Sequence, residues 1–310
     1  AVVCAQTIFL VLFQASRKDY NLRPQLGFLN KSLIKGMAGM SAFGFLNSFS
    51  YFAILRIDTI MVNQFIDDAA TGVYVTTFFF GALVLLPAKA LNKIAPTLIA
   101  DAYKKGDLYT VADIHKKSAL NLHIIGILVF LGLAINLDNV FHIIPRDFEA
   151  GKYVILFIAL ANVLKMSSGM SDSIIAFSKY YKFTTLFLVI LLIMITAFNA
   201  LFIPRFGITG AAFASFLAVF IWCIIKFLFI YRRFGFQPYN TKYTLIIVLT
   251  VVLYFAISLI PPLPHYLVDI ALRSGLAITL FLLPLYTFGI SEDVNQVIDN
   301  GISRIMRLFR

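Results

Sequence analysis

Long apolar segments separated by short polar ones dominate the sequence from residue 36 onward. An apolar run of about 20 residues is long enough for an α-helix to cross the hydrocarbon core of a bilayer. Eight runs are complete, and the predicted spans lie near residues 36–66, 72–99, 118–137, 153–177, 183–203, 208–231, 243–260 and 266–288. The connections carry Gly, Pro and Asn turn signals, as in IPRFG and PPLPH. The pattern predicts an all-α, polytopic integral membrane protein.

Residues 1–13, AVVCAQTIFLVLF, form a shorter apolar run that matches the end of a span. A signal peptide is the alternative, but no basic segment precedes the run and QASRKDY lacks a cleavage pattern. We therefore expect one partial N-terminal helix before the eight complete ones. The predicted organisation is this partial helix with a cytoplasmic linker, a six-helix lobe, two additional helices and a cytoplasmic tail, in residues 1–35, 36–235, 236–290 and 291–310.

Composition and charge agree with a membrane protein. Hydrophobic residues make up 60% of the chain and charged residues 13%, with a mean hydropathy of +0.89, whereas a soluble domain is about 45–50% apolar and about 25% charged. Of the 26 Lys and Arg residues, 17 lie in one set of alternating connections and 3 in the other. This asymmetry predicts a cytoplasmic C-terminus by the positive-inside rule. The net charge of +11 therefore needs no nucleic acid to explain it.

Most enzymatic chemistry finds no support in the sequence. Cys4 and Cys223 lie in apolar runs, which favours buried thiols over a redox pair. The four histidines lack the spacing of metal ligands, and no Walker-type phosphate loop occurs. We therefore expect no catalytic site, metal or cofactor in this chain. Charges inside the predicted spans are the remaining functional candidates.

Two of these intramembrane charge sets have a structural explanation. Asp269 and Arg273 are four residues apart, a spacing that lets them neutralise each other. Lys226 lies close to the cytoplasmic YRRF segment, so we expect its long side chain to snorkel to the headgroups.

Lys165 is harder to explain structurally, because it lies roughly 20 Å into a hydrocarbon core about 30 Å thick. Asn162, Gly169 and Asp172 share its predicted helical face. A polar stripe in mid-span faces protein or water rather than lipid. We interpret this stripe as lining a cavity; the alternative is a helix contact in which Lys165 pairs with a carboxylate.

Lys89 and Lys93 lie in the cytoplasmic half of the second predicted span, in LLPAKALNKIAP. Pro87 removes a backbone hydrogen bond one turn earlier, so a kink is expected there. Both lysines either snorkel to the interface or form a basic inner vestibule that receives an anion.

Arg56 and Asp58 form a third set in the first complete span. Asp58 shares a face with Asn47 and Tyr51, whereas Arg56 is two residues away and points elsewhere. The two are therefore not expected to pair directly. Their depth in the bilayer stays open, because this span is longer than a straight crossing needs.

One stretch resembles a known family. The segment NALFIPRFGITGAAFASFLAVF is similar to the helix-turn-helix of polysaccharide biosynthesis proteins, the lipid-linked oligosaccharide flippases (O-antigen translocase type) of the multidrug/oligosaccharidyl-lipid/polysaccharide exporter superfamily. The matching residues are Ile203, Pro204, Phe206, Gly207, Ile208, Gly210, Ala211 and Ala212. RIDTIMV and GVYVTTFFFGALVLLPAKALNKIAPTL are similar to the family's first span pair of the C-terminal lobe. Independently, small residues repeat every four positions from Gly207 and Gly210, as a close helix interface requires.

The resemblance implies a fragment that lacks the N-terminal lobe and lines one side of a central cavity. The implied function is flipping of undecaprenyl-diphosphate-linked oligosaccharide across the bacterial plasma membrane for surface polysaccharide biosynthesis, with membrane lipids and glycan-assembly proteins such as a polysaccharide polymerase as partners. In this interpretation Lys89 and Lys93 capture the diphosphate, Lys165 and Asn162 hold it in mid-membrane, and Arg56 accepts it near the exit. Asp58 and Asp172 are candidates for binding a coupling Na⁺ or proton, or they balance a lysine.

Two other functions stay open. A cation-coupled multidrug exporter of the same superfamily would favour an acidic cavity, whereas the intramembrane charges here are six basic and three acidic. A polytopic polysaccharide polymerase or ligase would need a long external loop, and the longest predicted outer loop has 15 residues.

Overall fold

The computed structural model describes Phe9, Phe13, residues 30–144 and residues 146–308. These residues are almost entirely helical and contain no β-strand. The chain divides into two units, residues 1–46 and residues 47–310. The predicted partial N-terminal helix lies outside the described residues, apart from Phe9 and Phe13. All the contacts discussed below belong to the second unit.

Eleven α-helices follow one another in the described residues. In chain order, α1 to α11 are Lys31–Phe65, Asp68–Ala82, Ala88–Lys104, Leu108–Ile135, Leu137–Ile143, Lys152–Ser167, Ser171–Phe177, Lys182–Phe234, Thr241–Ser258, Tyr266–Thr287 and Glu292–Leu308. Short 3-10 helices occupy Leu83–Leu85 and Arg146–Gly151.

Seven of the helical segments are long and apolar enough to cross a membrane. The longest, α8, has 53 residues and is interrupted at Gly207, where φ is 58° and ψ is −143°. The rings of Phe202 and Phe213 are 5.2 Å apart, although eleven residues of straight helix would separate them by about 16 Å. The chain therefore turns back at Gly207, as the IPRFG signal predicted, and α8 is a helical hairpin. The count of eight membrane spans stays a prediction.

The turn in α8 depends on small residues. A positive φ at Gly207 is a conformation that glycine adopts without a steric penalty. A Cβ atom at Gly210 would lie 2.3 Å from the carbonyl oxygen of Phe202, so the two arms approach closely only because this residue has no side chain. Ala211, Ala214 and Ala218 are completely buried, which confirms the predicted small-residue interface.

Two of the predicted spans are broken in the middle. The span at 72–99 divides into α2, a 3-10 turn and α3, with Pro87 directly before α3. Pro87 has no N–H to continue the helix, so the expected kink is a complete break. The span at 153–177 divides into α6 and α7, because Gly169 takes a positive φ of 53°. The prediction of one continuous face from Asn162 to Asp172 is therefore wrong.

Helix α6 lies at the centre of the second unit, where it packs against α2, α4 and α8. Val154, Ile155 and Ala159 on this helix are completely buried. A Cβ atom at Gly81 of α2 would lie 2.8 Å from the carbonyl oxygen of Ile155. The close approach of α2 and α6 thus requires glycine at position 81.

The two ends of the helical bundle are held by polar contacts. Arg273 Nε donates to Asp269 Oδ2 at 2.8 Å, and both side chains are buried, which confirms the predicted pair. The segment 291–310, predicted only as a tail, contains α11. Its start is attached to α4, because Ser291 Oγ and Asp293 Oδ2 each contact Asn121 at 2.6 Å.

Cysteine labelling tests the predicted orientation. In a background without the native cysteines, Ala69→Cys at the start of α2 is expected to react with an impermeant thiol reagent added outside intact cells. Lys105→Cys, after α3, is expected to react only after permeabilisation. Both side chains are exposed, and the positive-inside asymmetry places the first outside and the second inside. The opposite labelling pattern would contradict a cytoplasmic C-terminus.

Candidate functional site

A cavity of about 530 Å³ lies among α1, α3, the α6–α7 break and both arms of α8. Most of its wall is apolar, with contributions from Ile54, Leu85 and Leu188. The polar side chains on the wall include Asn47, Asn92, Lys165, Asp172, Thr184 and Lys226. A mostly apolar cavity with a few polar groups is the usual form of a small-ligand site.

Lys226 is the most deeply buried of the charged groups on this wall, with a side chain 2% exposed. Its Nζ lies 3.0 Å from Asp172 Oδ1 and 3.4 Å from the centre of the Trp222 ring. The ammonium is therefore neutralised by a carboxylate and by the electron-rich face of an indole. The prediction that Lys226 snorkels to the headgroups is wrong, because its side chain turns inward to the cavity.

Lys165 lies on the same cavity wall, at the last turn of α6. Its side chain is half-buried. No hydrogen bond or ion pair to its ammonium occurs within residues 30–144 and 146–308. Asp172 and Lys226 are both close enough to interact with its charge. Lys165 thus faces the cavity with its hydrogen-bonding capacity unused by the described residues, which is the property of an anion-binding group.

Lys89 and Lys93 lie beside the cavity without lining it. Helix α3 turns Ala88, Asn92 and Pro96 toward the cavity. Each lysine follows one of these residues directly, so its side chain points about 100° away around the helix. Both lysines are exposed.

Arg56 and Asp58 are separated as the sequence predicted. Arg56 is exposed on α1, and no ion pair joins it to Asp58. Neither residue lines the cavity. Asp58 lies on the other side of the helix and is 7% exposed.

The Asp58 carboxylate accepts three side-chain hydrogen bonds. Asn199 Nδ2 donates to Oδ1 at 2.6 Å. Ser215 Oγ and Tyr74 OH donate to Oδ2 at 2.6 and 3.0 Å. Because the donors come from α2 and from both arms of α8, this cluster joins three helical elements to α1. The Oδ1 atom of Asn199 is buried without a hydrogen-bond partner in the described part of the chain.

Asn162 does not reach the cavity. It is 4% exposed, and its Nδ2 donates to the backbone carbonyl of Gly81 at 3.2 Å. This contact joins α6 to the end of α2, where the helix breaks and carbonyl groups lose their intrahelical partners. The expectation that Asn162 lines the cavity beside Lys165 is therefore wrong, and the amide has a structural contact instead.

Sequence reasoning missed Lys226 and the indole beneath it. Trp222 and Lys226 follow Ser215 by seven and eleven residues, so all three lie on one face of the second arm of α8. This is the face that carries the buried small residues. The small-residue pattern therefore contained the signal that Lys226 faces protein.

The cavity combines two ammonium groups, one carboxylate and several neutral hydrogen-bonding groups. Thr184 lies on the wall, but its Oγ1 atom is buried and has no hydrogen-bond partner among the described residues. Such a wall can bind an anionic group that also carries hydroxyls. Within the described residues, no three His, Cys, Asp or Glu side chains are grouped as metal ligands.

Replacement of Asp58 tests its role in holding the helices together. Asp58→Ala leaves three buried donors without their acceptor, so we expect the free energy of unfolding to fall by at least about 2 kcal/mol. Asp58→Asn keeps an acceptor oxygen and should lose less. Thermal unfolding of the purified protein in detergent measures both variants. Asp101→Ala is the control, because Asp101 is exposed on α3; equal melting temperatures for Asp58→Ala and the control would contradict the role.

Comparison with protein-family models gives no match, and comparison with curated proteins gives none either. The resemblance to the lipid-linked oligosaccharide flippases therefore stays a prediction from the sequence.

Proposed function

We propose that this chain is part of a flippase that moves undecaprenyl-diphosphate-linked oligosaccharide across the bacterial plasma membrane. The observation that carries the proposal is Lys165, whose ammonium has no ion pair among the described residues and which lies on the wall of a cavity lined in part by long apolar helices. In this proposal the protein is a multi-pass transporter rather than an enzyme, and its C-terminus is cytoplasmic.

The chemistry of the cargo explains why a basic cavity is needed. A diphosphate cannot enter hydrocarbon without compensation for its lost hydration, and sugar hydroxyls need hydrogen-bond partners. A charge-assisted contact from Lys165 stabilises a phosphate oxygen. Asn47 and Asn92 supply neutral groups for the hydroxyls. A volume of about 530 Å³ suits a diphosphate and the first sugar.

The exposed basic residues have secondary roles in the proposal. Lys89 and Lys93 capture the diphosphate from the cytoplasmic leaflet before it reaches Lys165, and Arg56 accepts it near the exit. Their exposure is compatible with this role. Asn162 is not a ligand in this proposal, because its amide is hydrogen-bonded to the carbonyl of Gly81.

Asp58 is a better candidate than Asp172 for binding a coupling ion. Asp172 already balances Lys226, which is the structural alternative that the sequence left open for it. Asp58 has no basic partner within hydrogen-bonding distance in the described residues, and it lies beside the unpartnered Oδ1 atom of Asn199. A carboxylate next to a free amide oxygen offers ligands that Na⁺ prefers, and the same carboxylate can take a proton.

A multidrug exporter of the same superfamily is the second candidate function. The observation in its favour is the exposed carboxylate of Asp172 on the cavity wall. Two lysines on that wall outweigh it, so the cavity favours an anion over a cationic drug. A polymerase or ligase has less support, because the predicted outer loop consists of α5 and a 3-10 turn.

Substitution of Lys165 tests the proposed function. Removing the ammonium from a water-excluded phosphate contact costs on the order of 2–5 kcal/mol, so Lys165→Gln should abolish surface glycan at normal membrane abundance. Lys165→Arg should retain part of the export because the charge is kept. Both quantities are measured in cells that depend on this protein for glycan export.

Lys152 supplies the matched control, because its ammonium forms an ion pair with Asp138 and its side chain is 42% exposed. Lys152→Gln should leave glycan export unchanged. Normal export by Lys165→Gln at normal abundance would refute the proposed function.

Substitution of Asp58 tests the coupling site. Asp58→Asn removes the negative charge but keeps the shape of the side chain, so transport should lose its dependence on the Na⁺ or proton gradient. Asp172→Asn should keep that dependence. Transport into vesicles with imposed gradients measures the difference, and unchanged gradient dependence in Asp58→Asn would leave this residue a purely structural role.

A further inference from the structure

The ion pair between Lys226 and Asp172 is strongly asymmetric. The side chain of Lys226 is 2% exposed, whereas that of Asp172 is 64% exposed. Lys226 is held in position by the Trp222 ring 3.4 Å away, and this ring is held by a 3.0 Å hydrogen bond from its Nε1 to the carbonyl of Phe187. The ammonium is therefore the fixed member of the pair, and the carboxylate is the member that solvent and solutes can reach.

We propose that Lys226 is a second ligand for the diphosphate, and that Asp172 is an internal counter-ion which the bound anion displaces. This inference rests on the proposed function, because it assigns a second residue to the same anion site. Lys165 makes the first contact, since its ammonium has no hydrogen-bond or ion-pair partner in the part of the chain that the structure describes. The diphosphate then takes the place of the Asp172 carboxylate on Lys226.

Electrostatics favours this exchange. A buried ammonium needs a counter-charge at all times, because leaving it unpaired is strongly destabilising. Asp172 supplies that charge in the empty cavity. An arriving diphosphate supplies the same charge to Lys226 and repels the carboxylate, which regains hydration at its exposed position. Lys226 thus exchanges one anionic oxygen for another and is never left unpaired.

The backbone beside Asp172 suits such a movement. Asp172 lies in the first turn of α7, three residues after Gly169 and its positive φ of 53°. The seven-residue α7 is separated from α6 by this break. Reorientation of Asp172 therefore need not disturb α6, which carries Lys165. Because the counter-ion and the first ligand stand on different helices, one can leave while the other stays.

Trp222 provides a direct measurement, because it is the only tryptophan of the chain. The emission of an indole depends on charges next to its ring, and Lys226 Nζ lies against that ring. Titration of the purified chain in detergent with inorganic pyrophosphate should therefore produce a saturable change in Trp222 emission. Calorimetric titration with pyrophosphate gives the dissociation constant independently of fluorescence.

The two members of the pair should respond in opposite directions. Asp172→Asn removes the competing carboxylate, so pyrophosphate should bind about tenfold more tightly. Lys226→Gln removes a ligand, so binding should weaken at least about tenfold. Lys226→Met, which has a similar length and no charge, replaces this variant if Lys226→Gln does not fold, and should weaken binding in the same way. Asp138→Asn and Lys152→Gln, from the pair 2.6 Å apart outside the cavity, should leave the dissociation constant unchanged.

The outcomes separate this inference from the proposed function. If wild type binds pyrophosphate and Lys165→Gln loses binding, but Asp172→Asn binds no more tightly than wild type, the exchange is refuted and the Lys165 site survives. Unchanged pyrophosphate affinity in Lys226→Gln would also refute the exchange. If wild type does not bind pyrophosphate, both proposals fail. Tighter binding by Asp172→Asn together with weaker binding by Lys226→Gln or Lys226→Met supports the exchange.

Discussion

The buried carboxylate of Asp58 is the interaction on which the arrangement of the second unit depends. It takes donors from Tyr74 on α2 and from Asn199 and Ser215 on the two arms of α8. A carboxylate in an apolar environment is tolerated only when its oxygens are hydrogen-bonded. Satisfying this one group therefore brings α2 and both arms of α8 against α1. The cavity lies between α1 and both arms of α8, so part of its wall depends on a cluster that is not itself in the cavity.

Because the other buried charges have partners, the lack of a partner for Lys165 among the described residues is informative. Asp269 and Arg273 neutralise each other, and Arg273 also donates to the carbonyls of Ile257 and Ile260 at 3.3 and 2.7 Å. Lys226 has both a carboxylate and an aromatic face. Lys165 has neither a carboxylate nor an aromatic partner in residues 30–144 and 146–308. Since the fold compensates the other buried charges so completely, the absence of a partner for Lys165 within the described residues points to a ligand rather than to poor packing.

The features that the sequence predicted correctly are local ones. The turn at Gly207, the small-residue face of α8 and the Asp269–Arg273 pair each follow from residues within a few positions of one another. The break at Gly169 is a local feature that the sequence interpretation missed, whereas the errors on Lys226 and Asn162 concern contacts with residues distant in sequence. Asp172 and Lys226 are 54 positions apart, and Asn162 is 81 positions from Gly81. Helical periodicity gives the direction of a side chain relative to its own helix, but it does not identify the neighbouring helix.

The break between α6 and α7 also explains how the Lys165 ammonium can persist with no ion pair to the described residues. Lys165 lies in the last turn of α6, where backbone carbonyls carry the partial negative charge of the helix C-terminus. That charge contributes about 0.3–1 kcal/mol, and up to about 2 kcal/mol when partly buried. In a continuous helix, Lys165 would lie in mid-helix and lack this stabilisation. The end of α6 near Gly169 therefore has two consequences. It stabilises the Lys165 ammonium, and it places Asp172 on the separate helix α7.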